Sequence, residues 1–186
     1  MKSMDLALVA LFATLTALGA FIEIPLPFVP ITLQTFFILL SGLILGSRLA
    51  GLSLLCYVGM GSIGLPVFAG GASGIGVIAG PTGGYLVGFV IAAFVVGFIA
   101  ERREDFKTDV LAMAVGIICI YVPGILQLMN FTGMGLERGL EVGIIPFIAG
   151  DIIKAGLAVS IANRIRRSGV LHISSYSRNG KKSQHL

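Results

Sequence analysis

Tryptophan is absent from this 186-residue chain, and histidine and cysteine occur only twice each. Both histidines, His172 and His185, lie in a polar C-terminal stretch, so no histidine-based catalytic or metal cluster is available. Cys56 and Cys119 sit inside apolar runs without metal or redox spacing and read as inert buried thiols. Charged residues make up only 12% of the chain, against about a quarter in a soluble domain. No Gly-x-x-x-x-Gly-Lys-Ser/Thr sequence occurs, so the chain has no phosphate-binding loop of its own. These absences argue against a metalloenzyme, a nucleotide hydrolase and a water-soluble domain.

What is present is apolar. Hydrophobic residues reach 56% and the mean hydropathy is +0.99, more than one water-soluble core can hide. The solvent for most of the chain is lipid. A helix needs about 20 apolar residues to cross a bilayer core. Charges and Pro/Gly clusters divide the sequence into six such stretches: Leu6–Ile22, Ile31–Ser47, Leu49–Gly64, Gly83–Ala100, Val110–Asn130 and Ile144–Asn163. The expected fold is therefore an all-α bundle of six transmembrane helices, since a helix satisfies its own backbone in lipid. The second and third spans join tightly at Ser47-Arg48, and the third is shortest, weakened by Gly59, Gly61 and Gly64.

Basic residues set the orientation. Lys2, Arg48, Arg102, Arg103, Lys107, Arg164, Arg166, Arg167, Arg178, Lys181 and Lys182 fall on one side. Arg138 alone falls on the other, and Lys154 lies within a span. Lys/Arg excess marks cytoplasmic loops, so both termini are expected in the cytoplasm of a multi-pass cell-membrane protein. The net charge of +4 comes from these loops and the tail, which points to an anionic inner membrane face and not to nucleic acid. Met1-Lys2 before an apolar run also resembles a signal peptide. The run is long enough to span, and Asp5 is out of place in a signal, so a retained helix is expected. Residues 1–167 form the membrane domain; residues 168–186 are a polar, basic tail, expected to be disordered.

The outer connections carry the unusual chemistry. In Glu23-Ile24-Pro25-Leu26-Pro27-Phe28-Val29-Pro30 the prolines stop any helix and hold a stiff, extended segment. The segment from Leu65 to Thr82 is glycine-rich yet apolar, and long ordered loops are often lids or binding elements. Gly74-x-Gly76-x-x-Ala79 looks like a dinucleotide fingerprint but lacks the strand and soluble βαβ unit that fingerprint needs.

Asp151 and Lys154 are the charged residues well inside a span, each costing about 2.5–3.5 kcal/mol at a helix centre. At i and i+3 they share a face and can pair, either as a structural ion pair or as the lining of a polar ligand site. Gln34 enters the second span at the same depth, as interhelical glue or as a ligand contact. Tyr85 follows Gly83-Gly84, where small residues allow close backbone approach; its plainer reading is an interfacial aromatic anchor. Small residues recur at four-residue spacing: Ala13 and Ala17, Gly42 and Gly46, Gly84 and Gly88. Packing between helices explains most of them. The first-helix stripe of Ala10, Ala13, Thr14 and Ala17 is the candidate contact with another subunit.

Four ordered motifs then carry a resemblance. Val29-Pro30-Ile31-Thr32-Leu33-Gln34-Thr35, Gly64-Leu65-Pro66-Val67-Phe68, Gly80-Pro81-Thr82-Gly83-Gly84-Tyr85 and Gly150-Asp151-Ile152-Ile153-Lys154 resemble the biotin-specific S components of energy-coupling-factor (ECF) transporters, the BioY family. The similarity runs from about Leu6 to Arg167. It implies a six-helix vitamin-binding subunit that works with a transmembrane coupling protein and two ABC-type ATPases. ATP hydrolysis would then reside in the partners, with biotin as transported ligand and no cofactor. The first helix resembles the Ala-x-x-x-Ala surface offered to the coupling protein, here Ala13 and Ala17. Biotin's ureido ring offers two N–H donors and one carbonyl. Asp151 can accept from it, with Gln34 or Lys154 donating; Phe68 and the loop glycines can cover the bicycle, and backbone N–H groups near Gly83 and Gly84 can meet a polar end. The valerate carboxylate is an alternative partner for Lys154. An S component for another vitamin and an autonomous secondary transporter are the competing readings. The second lacks a visible inverted repeat. A membrane enzyme lacks any nucleophile–base set.

Overall fold

The computed structural model describes residues 3–103 and 105–168. The expectation for the tail from 169 onward lies outside the described residues, as does Lys2. The elements are α1 (Ser3–Phe21), β1 (Glu23–Ile24), β2 (Ile31–Thr32), α2 (Gln34–Ser62), a 3-10 turn (Ala69–Gly71), α3 (Ile75–Ala79), α4 (Gly83–Ala100), α5 (Phe106–Thr132), α6 (Leu136–Gly143) and α7 (Ile145–Arg167). Among the described residues, five helices are long and apolar enough to cross a membrane: α1, α2, α4, α5 and α7.

The two expected spans Ile31–Ser47 and Leu49–Gly64 both fall on α2. This element is not one straight rod. Gly46 adopts φ 76°, ψ 174°, open to glycine and strained for any other residue. The Gln34 side chain reaches Tyr57 at 2.6 Å across 23 residues, which an unbroken helix would hold about 35 Å apart. The chain therefore reverses at Gly46, and α2 is a helical hairpin with arms 34–45 and 47–62. The joint lies at Gly46, just before the expected Ser47-Arg48.

The break frees backbone groups, and charged side chains take them. The Ser47 N–H, which would have bonded to Leu43 in a continuous helix, donates to Glu101 Oε1 at 2.7 Å. The Leu43 carbonyl accepts from Arg166 Nη2 at 3.0 Å. Arg166 in turn bonds to Asp109 at 2.7 Å, where the carboxylate side chain is 0% exposed. One end of the bundle is thus tied across α2, α4, α5 and α7.

Glycine and proline set the helix contacts elsewhere. Pro123 lies inside α5 and has no N–H, which leaves the Cys119 carbonyl without its intrahelical donor. Gly88 of α4 packs there; a Cβ at that position would stand 2.8 Å from the Cys119 oxygen. Gly84 lies similarly against the Pro123 carbonyl. Asp105 caps α5 by accepting from the Thr108 N–H at 2.8 Å, and left-handed Gly133 ends it.

The all-helical expectation holds, with one small extended element in the proline-rich connection: Glu23 pairs with Thr32 and Ile24 with Ile31 in an antiparallel hairpin, since the prolines between them forbid helix but allow extended pairing. Other expectations change. The long loop contains a 3-10 turn and α3, and the amphipathic α6 precedes the last long helix, which runs to Arg167 and not Asn163. Finally, Ala13 and Ala17 do not face outward. They are 1% and 8% exposed and pack inside the chain's own core. Ser53 of α2 donates to the Val9 carbonyl of α1 at 2.9 Å, drawing that face of α1 inward. The outward face holds Ala7, Ala10 and Thr14.

Gly46→Ala is expected to lower stability by about 1–3 kcal/mol, the strain of a non-glycine residue in this backbone region, because its Cβ also displaces the Glu101 carboxylate. Thermal unfolding of the purified protein measures it.

Candidate ligand site

At the opposite end, a cavity of about 140 Å³ lies between α2, α4, α5 and α7, below the long loop. Gln34, Phe68, Tyr85, Asp151 and Lys154 all line it. Residues far apart in sequence are brought together because the β-hairpin, the loop and the first turns of α2, α4 and α7 converge here.

The polar centre is a closed set of short contacts. Lys154 Nζ bonds to Asp151 Oδ1 at 2.9 Å and donates to the Thr32 carbonyl at 2.7 Å. Tyr121 donates its hydroxyl to Asp151 Oδ2 at 2.7 Å. Asp151 is 3% exposed, so its charge must be neutralised locally. An ammonium has three donors and a carboxylate about four acceptor positions. Each of these groups therefore keeps capacity for a ligand after its protein bonds are made.

Gln34 is more committed. Its amide donates to Tyr57 at 2.6 Å and accepts from the Thr32 hydroxyl at 3.0 Å. Tyr57 donates onward to the Val67 carbonyl at 3.1 Å, linking helix to loop. Phe68 is buried, with its ring edge-on to Tyr57 at 5.6 Å. That ring packs so closely on Gly61 that no side chain fits there. The glycine expected only to weaken the third span is what admits the phenylalanine. Tyr85 presents its ring to the cavity and donates its hydroxyl to the Gly143 carbonyl at 2.9 Å, fixing the turn between α6 and α7.

Gly83 and Gly84 are not in the cavity wall. Gly83 packs on the Ile78 carbonyl and its own N–H is taken by Gly80 at 3.2 Å. Gly84 meets Pro123 of α5. The Gly83 N–H is thus taken within the chain, and both glycines serve close packing of the loop and of α5. Gln127 adds to it, donating to the Ile78 and Gly80 carbonyls at 2.6 and 2.8 Å. Thr32, from the first motif, also lines the cavity, and so do Tyr121, Phe89 and Phe147, which lie outside the four motifs. Tyr121 had a signal: a tyrosine deep in an apolar span must find an acceptor, and Asp151 is the buried carboxylate at that depth. No group of three His, Cys, Asp or Glu side chains arranged for a metal occurs among the described residues.

Comparison with known proteins decides the family. The BioY family model matches residues 1–169. The chain belongs to the BioY family. A relative from Pyrococcus horikoshii, described as a probable biotin transporter BioY, is 43% identical over 166 residues, covering 89% of this chain and 98% of its own. The biotin transporter BioY of Thermotoga maritima is 42% identical over 157 residues, covering 84% and 92%. The crystal structure of an S component for biotin from an ECF-type ABC transporter superposes with a TM-score of 0.82 at 29% identity, covering 90% of this chain and 95% of that one. This BioY chain shares both sequence and architecture with them.

Removing one partner of the buried pair leaves the other charge unmatched. Lys154→Met is expected to destabilise the protein by about 3–5 kcal/mol. The double variant Asp151→Asn/Lys154→Met should regain part of that loss. Melting temperatures of both variants beside the parent test this.

Proposed function

We propose that this protein is the biotin-binding S component of an ECF-type uptake transporter, a membrane subunit and not an enzyme. Its polar cavity under an apolar, glycine-rich roof is the observation that carries the reading. Family membership and similarity to a biotin S component support it. The α2 hairpin adds a sixth crossing to the five long helices. The excess of basic residues toward the Gly46 end supports a cytoplasmic position for that end. The cavity then opens toward the outside, where a scarce vitamin is captured.

Charge balance favours one orientation of biotin. Asp151 already neutralises Lys154, so a second carboxylate beside them would leave a net buried negative charge. The neutral ureido ring fits this place: its N–H groups donate to Asp151, and its carbonyl accepts the remaining Lys154 N–H. Phe68, Tyr85 and Phe89 contact the thioether bicycle, and the valerate points toward the loop and solvent. A transmembrane coupling protein and two ATPases supply the energy. The coupling face on α1 is the exposed Ala7, Ala10 and Thr14 stripe, which permits close helix approach, and not the buried Ala13 and Ala17.

Calorimetry should show one biotin bound reversibly per chain without ATP. Asp151→Asn should weaken binding about 5- to 150-fold, the equivalent of about 1–3 kcal/mol for a hydrogen bond to a charged group. No heat with biotin, but clear binding of a different vitamin, would overturn the assignment. On α1, Ala10→Trp should prevent copurification with the coupling protein while biotin binding persists. Ala13→Leu should instead lower the melting temperature, because it overpacks the chain's own core. If Ala10→Trp still assembles normally, the partner uses another face.

A further inference from the structure

A second cavity lies on the lipid-facing side of the bundle, away from the polar site. It is a groove of about 490 Å³ between the 47–62 arm of α2 and the middle of α4. Gly51, Leu52, Leu55, Val90, Ile91 and Phe94 form its walls, and Arg48 stands at one end. Its floor exists because Gly51 has no side chain; a Cβ there would stand 3.6 Å from Phe94. Leu52, Leu55, Ile91 and Phe94 are exposed large hydrophobics, so no described residue covers the groove.

Arg48 does not stand alone at that end. Phe94 stacks on Phe98, with ring centroids 6.3 Å apart and planes within 9°. The Arg102 guanidinium lies 4.5 Å from the Phe98 ring centroid, continuing the same face toward the end of the bundle. The Ser47 N–H bonds to Glu101 at 2.7 Å, and Arg48 and Arg102 are the next residues on each strand of that contact. Arg48 and Arg102, both exposed, therefore leave neighbouring backbone positions at the foot of an apolar trough. The nearby Glu101 oxygens are taken up by Ser47.

We infer that this groove binds one anionic phospholipid of the inner leaflet, with its phosphate between Arg48 and Arg102 and an acyl chain against Gly51, Leu55 and Phe94. The chemistry matches at both ends. Guanidinium groups are suited to phosphate oxygens, and the trough is apolar and open to the bilayer. The inference rests on the proposed placement of Arg48 on the cytoplasmic side.

The test is native mass spectrometry of the full chain released from nanodiscs holding phosphatidylglycerol and phosphatidylcholine in equal amounts. One phosphatidylglycerol per chain should be retained, with a preference of about thirtyfold, the equivalent of about 2 kcal/mol for two basic side chains at an anionic leaflet. Arg48→Gln/Arg102→Gln should bring the preference to within about twofold. Gly51→Leu, whose Cβ would make only ordinary contact with Phe94, should fill the groove and release both lipids, with the melting temperature checking that the variant folds. Equal retention of the two lipids by the parent protein overturns the inference, as does an unchanged preference in the double variant or unchanged retention in Gly51→Leu. Labelling Arg48→Cys with an impermeant maleimide in sealed vesicles reads the orientation separately. Biotin calorimetry on the same samples reads the transport assignment separately.

Discussion

A buried carboxylate must be neutralised and hydrogen-bonded where it stands, and Asp151 has one partner for each role. Lys154 comes from its own helix one turn on, and Tyr121 from α5. Lys154 also holds the Thr32 carbonyl of the β-hairpin. The last helix, α5 and the connection between α1 and α2 therefore meet at a single charge. The cavity around it is a consequence, because side chains committed to this cluster cannot also fill the space above it.

The same physical rule organises the other end. A tight reversal at Gly46 leaves backbone groups without their helical partners. Glu101 and Arg166 take those groups, and Asp109 balances Arg166. Both ends are thus closed by charge, with small-residue packing between them. Gly84 and Gly88 seat α4 against the proline-interrupted stretch of α5, where larger residues would collide with carbonyl oxygens. This arrangement keeps α4 and α5 close enough for Tyr85 and Tyr121 to line one cavity.

Much of this was legible in the residues. Apolar run lengths located the long helices, and the start of α4 at Gly83 and its end at Ala100 were as expected. Asp151 and Lys154 stood out because charge is expensive in a span. The failures have physical causes. The outward face of α1 was misassigned because alanine carries little hydrophobic contrast, and no periodicity shows which side of so uniformly apolar a helix meets protein. Gly83 and Gly84 looked like ligand-facing backbone, but a glycine admits a neighbouring carbonyl as readily as a substrate. Tyr121 was overlooked because a hydroxyl in an apolar run becomes meaningful only once its acceptor is known.

The central claim is that the neutral Asp151–Lys154–Tyr121 cluster recognises the ureido ring. The most direct measurement is a binding cycle by calorimetry. It pairs the parent protein and Asp151→Asn with biotin and with an analogue methylated on a ureido nitrogen. If Asp151 accepts that N–H, methylation should weaken binding strongly in the parent and much less in the variant, where the acceptor is already impaired. Equal and additive losses in both proteins would show that Asp151 and the ureido nitrogen do not meet, and would contradict the account.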